Sequence, residues 1–323
     1  MTALPCPMKG GDRLEKEGRE EKGQVSPAGA ADAAPVLAPT DPFLVRGPAI
    51  VSFSGGRTSA LMLRRVLDAH GGALPPDVFA VFSNTGREMP ATLDFVRECG
   101  ARWGVDVVWL EYRRDPDTGR QWAERVTHET ASRDGEPFAA CIAARGFLPN
   151  PVARFCTTEL KIRTLKRWVR DALGWDHWTN AVGLRADEPR RVKAAAKHES
   201  KERWARVHPL ADAGITKLDV LRFWRAQPFD LRLAGPWEGN CDLCFLKGAG
   251  AISRVMADHP ERSAWWIAQE AAKRGKTANA AAARFRADRD DYAALARATR
   301  DQGALPFGVL DQLMPCASGG CGV

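Results

Sequence analysis

The chain has 323 residues, 45% hydrophobic and 27% charged, with a formal net charge of +7 and a pI near 9.1. No apolar run approaches the roughly 20 residues that span a bilayer, and residues 1–23 lack the apolar stretch of a secretory signal, so a cytoplasmic protein that uses no membrane is expected. The positive charge fits an anionic partner such as a nucleotide, a sulfonucleotide or nucleic acid, and the 8 cysteines of a reducing compartment suit metal ligation or redox chemistry better than structural disulfides.

Residues 1–46 mix Pro, Gly, Ala and charge with little to bury and read as a disordered tail. From Pro48 the apolar run Ala49-Ile50-Val51-Ser52-Phe53 reads as a strand, Ser54-Gly55-Gly56 as a turn, and Ala60 to Leu67 as a helix. Val78 to Phe82 is a second strand, a helix starts at Pro90 and carries Leu93, Val96 and Trp103, and Val105 to Leu110 is a third strand. A helix through Leu160, Leu165, Trp168, Val169 and Leu173 precedes a fourth strand, Trp178 to Leu184. Arg185 to Arg206, rich in Arg, Lys and Glu, reads as an exposed basic loop or helix, and Thr216 caps a helix with Leu218, Val220, Leu221 and Trp224. After Pro236 a cysteine-bearing turn leads to helices around Trp265 and over Tyr292 to Ala298. Strands alternating with helices imply an α/β fold with a doubly wound parallel sheet over residues 47–235, followed by a small, mainly helical cysteine module over 236–323. There is no internal repeat.

The chemistry begins at Ser54-Gly55-Gly56-Arg57-Thr58-Ser59. A glycine pair between a buried strand and a helix turns the backbone tightly and presents amides to an anion at the positive helix end, while hydroxyls add donors. The run lacks the Gly-x-x-x-x-Gly-Lys spacing of the common ATPase loop. Taken alone, it is also compatible with a plain strand-to-helix turn.

This loop resembles the Ser-Gly-Gly-x-x-Ser PP-loop of the adenine nucleotide α-hydrolase-like superfamily. Further similar runs follow in order: Ser83-Asn84-Thr85-Gly86 with Glu88 to Thr92, Phe155-Cys156-Thr157-Thr158-Glu159-Leu160-Lys161, Gly183-Leu184-Arg185, and His208-Pro209-Leu210 before Asp219-Val220. Together they resemble the 3′-phosphoadenosine 5′-phosphosulfate (PAPS) reductase family. The resemblance implies an adenine nucleotide (PAPS, adenylyl sulfate or ATP) held by Ser54, Gly55, Gly56, Arg57, Thr58 and Ser59. It places Thr85 and Gly86 near adenine or ribose, with Lys161, Gly183 and Arg185 at the phosphate or sulfate end. Arg57 departs from the acidic residue or Lys common in the family, and Asn84 from the frequent Asp.

Cys241-Asp242-Leu243-Cys244 can chelate a metal or cluster or act as a redox dithiol. By the resemblance, Cys156 joins this pair as a ligand of an iron–sulfur cluster of the 4Fe-4S type, although Phe155 stands where such reductases carry a first cysteine. Cys141, Cys316 and Cys321 are the candidates for the fourth ligand, with Cys316 after Pro315 preferred; zinc suits the same thiolates. Cys99 reads as a small core residue. Cys321-Gly322 in the Gly-rich C-terminus is similar to the family's catalytic Cys-Gly, so Cys321 is the expected nucleophile and a thioredoxin-like protein the expected electron donor.

Three functions compete. The first is reduction of PAPS or adenylyl sulfate to sulfite. The second is ATP-dependent sulfur transfer to tRNA or DNA, with Arg190 to Arg206 and Trp204 contacting the nucleic acid. The third is a non-enzymatic module that senses nucleotide and redox state.

Overall fold

The structure is a computed structural model and describes residues 41–196, 202–275 and 283–302. Short apolar runs form β1 (Ala49–Ser52), β2 (Val78–Asn84), β3 (Val107–Arg114), β5 (Trp178–Val182) and β6 (Trp204–Val207), with β4 (Gln121–Val126) folding back on β3. Together they make one sheet of order β4-β3-β2-β1-β5-β6, parallel throughout except for β4, which is antiparallel at the edge.

Side chains alternate across the sheet as the two-residue strand period requires. Ala49 and Val51 of β1, Val78, Ala80 and Phe82 of β2, and Val107 and Trp109 of β3 share one core with α1 (Arg57–Ala69), α2 (Pro90–Trp103) and α8 (Lys217–Arg225). Ile50, Val81, Val108 and Leu110 face the other way, onto Leu165, Trp168 and Val169 of α5 (Thr164–Leu173). Helices on both faces of a parallel-dominated sheet are the doubly wound arrangement expected from the alternating pattern.

A third core joins Tyr112 of β3 and Phe138 and Ile142 of α3 (Glu136–Arg145) to residues of the C-terminal segment. That segment contributes Leu243, Phe245, Trp266 and Tyr292, carried by the cysteine turn and by α9 (Ala249–Asp258), α10 (Ser263–Lys273) and α11 (Tyr292–Gln302). Among the described residues no helix is long and apolar enough to cross a membrane.

Two readings of the sequence change. The stretch Arg185 to Arg206 is not one exposed segment: it carries α6 (Pro189–Ala196) and β6, whose Trp204 is buried and stacked on Trp178 with ring centroids 4.9 Å apart. Trp204 pairs in register with Trp178 at the sheet edge and so is not available to stack a base. The helix predicted through Leu160 is also composite: α4 (Phe155–Thr157) runs into a π-helical stretch, Thr158–Arg163, before α5.

Candidate nucleotide site

The strand order reverses at β1, which has β2 on one side and β5 on the other. Such a switch point leaves a crevice beyond the carboxyl ends of the strands, the usual ligand position in open α/β sheets. A cavity of about 30 Å³ lies there, lined by Ser52, Phe53 and Ser54 at the end of β1, Val182 and Gly183 at the end of β5, and Ser83, Ser59 and Lys161. Four of the residues singled out from sequence, Ser54, Ser59, Lys161 and Gly183, therefore meet in one place. The volume holds a water or two, and thus one or two oxygens of an anion rather than a whole nucleotide.

Local geometry explains the glycines. Gly55 has φ +79°, and a Cβ there would come within 2.7 Å of Thr92 Cγ2, so both conformation and space require glycine. Gly56 is the N-cap of α1 and offers no side-chain cap. The first α-helical bond is donated by Ala60 N to Gly56 O at 3.0 Å, leaving the amides of Arg57, Thr58 and Ser59 without intrahelical partners at the positive helix end. No acidic side chain occupies that first turn. Ser59 closes the loop: its hydroxyl accepts from Ser54 N at 3.1 Å, donates to Gly56 O at 3.0 Å and lies 2.9 Å from Ser54 Oγ. A Cβ on Gly183 would sit 3.2 Å from Ser59 Cα, so glycine lets the end of β5 approach the loop closely.

Positive charge arrives from two sides. Lys161 comes from the π-helical stretch, where the widened turn also leaves Glu159 buried and bound by Arg145, Arg163 and Arg167. Arg185 follows β5, donates to Thr58 Oγ1 at 3.4 Å and is braced by Asp187 at 2.8 Å and by Glu188.

Three predicted residues do not line this cavity. Arg57 forms a two-pronged ion pair with Asp230 at 2.6 and 2.7 Å. Thr85 is buried, donates both its amide and its hydroxyl to the Glu88 carboxylate at 2.9–3.0 Å, and its hydroxyl lies 3.5 Å from Cys241 Sγ. Gly86, at φ +79°, packs against Gly135 and Pro137. Thr85 thus joins the end of β2 to the cysteine turn, and Gly86 joins it to the start of α3.

That turn is held by Asp242, which is fully buried. Its carboxylate accepts from Arg87 Nη2, from Arg262 Nε at 2.7 Å and from Trp266 Nε1 at 2.9 Å, and its amide donates to Arg87 O at 2.8 Å. Cys244 belongs to the third core, with Cys156 and Cys241 packed against it. Among the described residues no three His, Cys, Asp or Glu side chains are grouped so as to hold a metal ion. Cys316 and Cys321 lie outside the described residues. Cys99 is buried in the core as expected, and burial raises its thiol pKa far above the ordinary range. Burial likewise pushes the Cys141 thiol up to about 12, with Glu159 and Cys156 adding to the effect.

Residues 48–231 match the model of the phosphoadenosine phosphosulfate reductase domain, more than half of the chain. The chain belongs to this family. Among curated proteins it is 32% identical over 213 residues to the "Uncharacterized nin region protein ORF290" of Escherichia phage lambda, covering 65% of this chain and 69% of that one. Among solved structures it is similar, at 15% identity and a TM-score of 0.34, to the U34-tRNA thiolase NcsA from Methanococcus maripaludis with its [4Fe-4S] cluster, covering 84% of this chain and 78% of that chain. A score that low transfers neither geometry nor chemistry. The matched span of the reductase domain holds the loop, Lys161, Gly183, Arg185 and Asp230, and stops before the Cys241–Cys244 turn.

Sequence reasoning missed Asp230, Glu88 and Asp242. Asp230 and Asp242 depend on partners far away in the chain, Arg57 for the first and Arg87 and Arg262 for the second, which no local spacing signals, while Glu88 binds Thr85 only three residues away.

Proposed function

We propose that the protein is an enzyme that binds an adenine sulfonucleotide at the switch-point crevice and reduces it to sulfite. The observation that carries this reading is the convergence of Ser54, Ser59, Lys161 and Gly183 on one cavity at the amino end of α1, in a chain of the PAPS reductase family. Helix-terminal amides, two serine hydroxyls and the Lys161 ammonium make a site for an anion's oxygens. The body of the nucleotide would extend outside the small cavity along the strand ends.

In this reading Ser54, Gly55, Gly56, Thr58 and Ser59 hold the phosphosulfate, and Lys161 and Arg185 offset its charge. The thiolate of Cys321 attacks the sulfate sulfur, the bond from sulfur to the bridging oxygen breaks, and the adenosine phosphate leaves with the electron pair. A second thiol, from a thioredoxin-like donor, then attacks Cys321 Sγ, releasing sulfite and leaving a disulfide. Two thiols are oxidised as sulfur loses two units of oxidation number.

The test is anaerobic incubation with reduced thioredoxin and either PAPS or adenylyl sulfate, reading sulfite and intact protein mass. Sulfite release from one of the two is expected. Cys321→Ser should keep nucleotide binding while losing both the sulfite and the sulfonate adduct. Conversion of ATP to AMP that depends on tRNA or DNA, with no sulfite from either sulfonucleotide, would move the assignment to sulfur transfer. Tight nucleotide binding with no turnover of any substrate would instead favour a sensing module.

A further inference from the structure

Arg57 occupies the first position of α1, inside the glycine loop, where a cation would be expected to meet phosphate. Its guanidinium is committed elsewhere. Nε and Nη2 donate to the two oxygens of Asp230 at 2.6 and 2.7 Å, and Nη2 also donates to Leu231 O at 3.1 Å. Its main chain is fixed as well, because Arg57 O accepts from Trp224 Nε1 at 2.9 Å. Trp224 is itself buried among Phe95, Trp103 and Phe229. One residue of the loop is thus tied at two points to α8 and to the segment that follows it, by a planar fork whose geometry lysine cannot reproduce.

We infer that Arg57 is a positioning residue of the nucleotide site and not a phosphate ligand: with Asp230 it clamps the first turn of α1 so that the amides of residues 57–59 stay aimed at the anion. This rests on a nucleotide occupying the crevice proposed above. The clamp also neutralises Asp230. Lys161, which lines the cavity, and Arg185, which reaches Thr58 Oγ1, are the cations placed toward the ligand.

Opposite signs separate this assignment from direct contact. If Arg57 held phosphate, Asp230→Asn would free its guanidinium and tighten binding. For a clamp, Asp230→Asn weakens binding by about threefold, the scale of a half-exposed ion pair. Arg57→Met, which also exposes the Asp230 charge, weakens it further, by about tenfold. The double variant then binds no worse than Arg57→Met alone, because the two residues act as a unit. Arg57→Lys keeps the charge but loses the fork, so it should bind closer to Arg57→Met than to wild type.

The experiment is calorimetric titration of adenosine 3′,5′-bisphosphate and of ATP into the full-length wild type and these four variants, each first shown to be folded by its unfolding midpoint. The expected result is weakened binding in Asp230→Asn and a double variant no worse than Arg57→Met. Tighter binding in Asp230→Asn, full retention in Arg57→Lys, or losses that multiply in the double variant would overturn the clamp while leaving the nucleotide site standing. Absence of binding in the wild type would remove the nucleotide site and the clamp's role together.

Discussion

Asp242→Ala is expected to destabilise the protein by about 3–5 kcal/mol, the cost of leaving a buried charge without its partner. Asp242 is fully buried and Arg87, paired with it, is nearly so, while Trp266 Nε1 and Arg262 Nε depend on the same carboxylate. Removing it strands a guanidinium and an indole N–H in a core built from Phe245, Trp266, Phe285 and Tyr292. Replacing the pair together, Asp242→Leu with Arg87→Met, should recover the part of the loss due to the stranded Arg87 guanidinium, while Trp266 Nε1 and Arg262 Nε still lack this acceptor. Urea unfolding of the two variants beside wild type checks this. A single-variant loss under 1 kcal/mol would mean that the network does not hold the cysteine turn.

Gly55→Val is expected to remove nucleotide binding. The left-handed backbone at φ +79° costs a branched residue about 1–2 kcal/mol, and the added carbon meets Thr92 Cγ2 at 2.7 Å and Phe82 Cε2 at 3.2 Å. Overpacking of that kind adds about 1–3 kcal/mol. The loop relieves both by moving, which takes the amides of Arg57 to Ser59 off their target. Losing charge-assisted amide contacts weakens an anion by about tenfold or more. Gly55→Ala, with the same backbone conflict and a smaller clash, should fall between. Unchanged affinity in a folded Gly55→Val protein would place the phosphate elsewhere.

Much of the frame is legible in the sequence because its signals are local. Ala49 to Phe53, Ser54-Gly55-Gly56 and the apolar spacing from Ala60 to Leu67 announce strand, turn and helix within twenty residues, and all three form as read. β4 was not visible. Gln121 to Val126 lies at the sheet edge with both faces partly exposed, so its residues carry no apolar alternation. Trp204 misled for the opposite reason: its neighbours Arg203, Arg206 and Glu202 are those of a surface segment, and burial comes from stacking on Trp178 across the sheet.

The candidate site divides in the same way. Ser54, Ser59 and Gly183 were found because loop and strand-end chemistry is written in consecutive residues, and the cavity collects them with Lys161. The directions of Arg57 and Thr85 could not be read, since they are set by Asp230 on one side and by Glu88 and Cys241 on the other. The π-helical turn that brings Lys161 to the cavity has no residue signature of its own; it is accompanied by the Thr164 hydroxyl donating to Glu159 O at 2.8 Å and by the three arginines on the Glu159 carboxylate.

The most direct measurement is calorimetric titration of adenosine 3′,5′-bisphosphate into wild type and Lys161→Ala at low salt. Lys161 lines the cavity without belonging to the glycine loop, so the substitution removes charge while leaving the turn and its amides intact. The expected result is one nucleotide per chain in wild type and an affinity about tenfold weaker in the variant, the scale of a charge-assisted hydrogen bond. Equal affinity in the two proteins, or no binding to wild type, would contradict a nucleotide held at the crevice between β1 and β5.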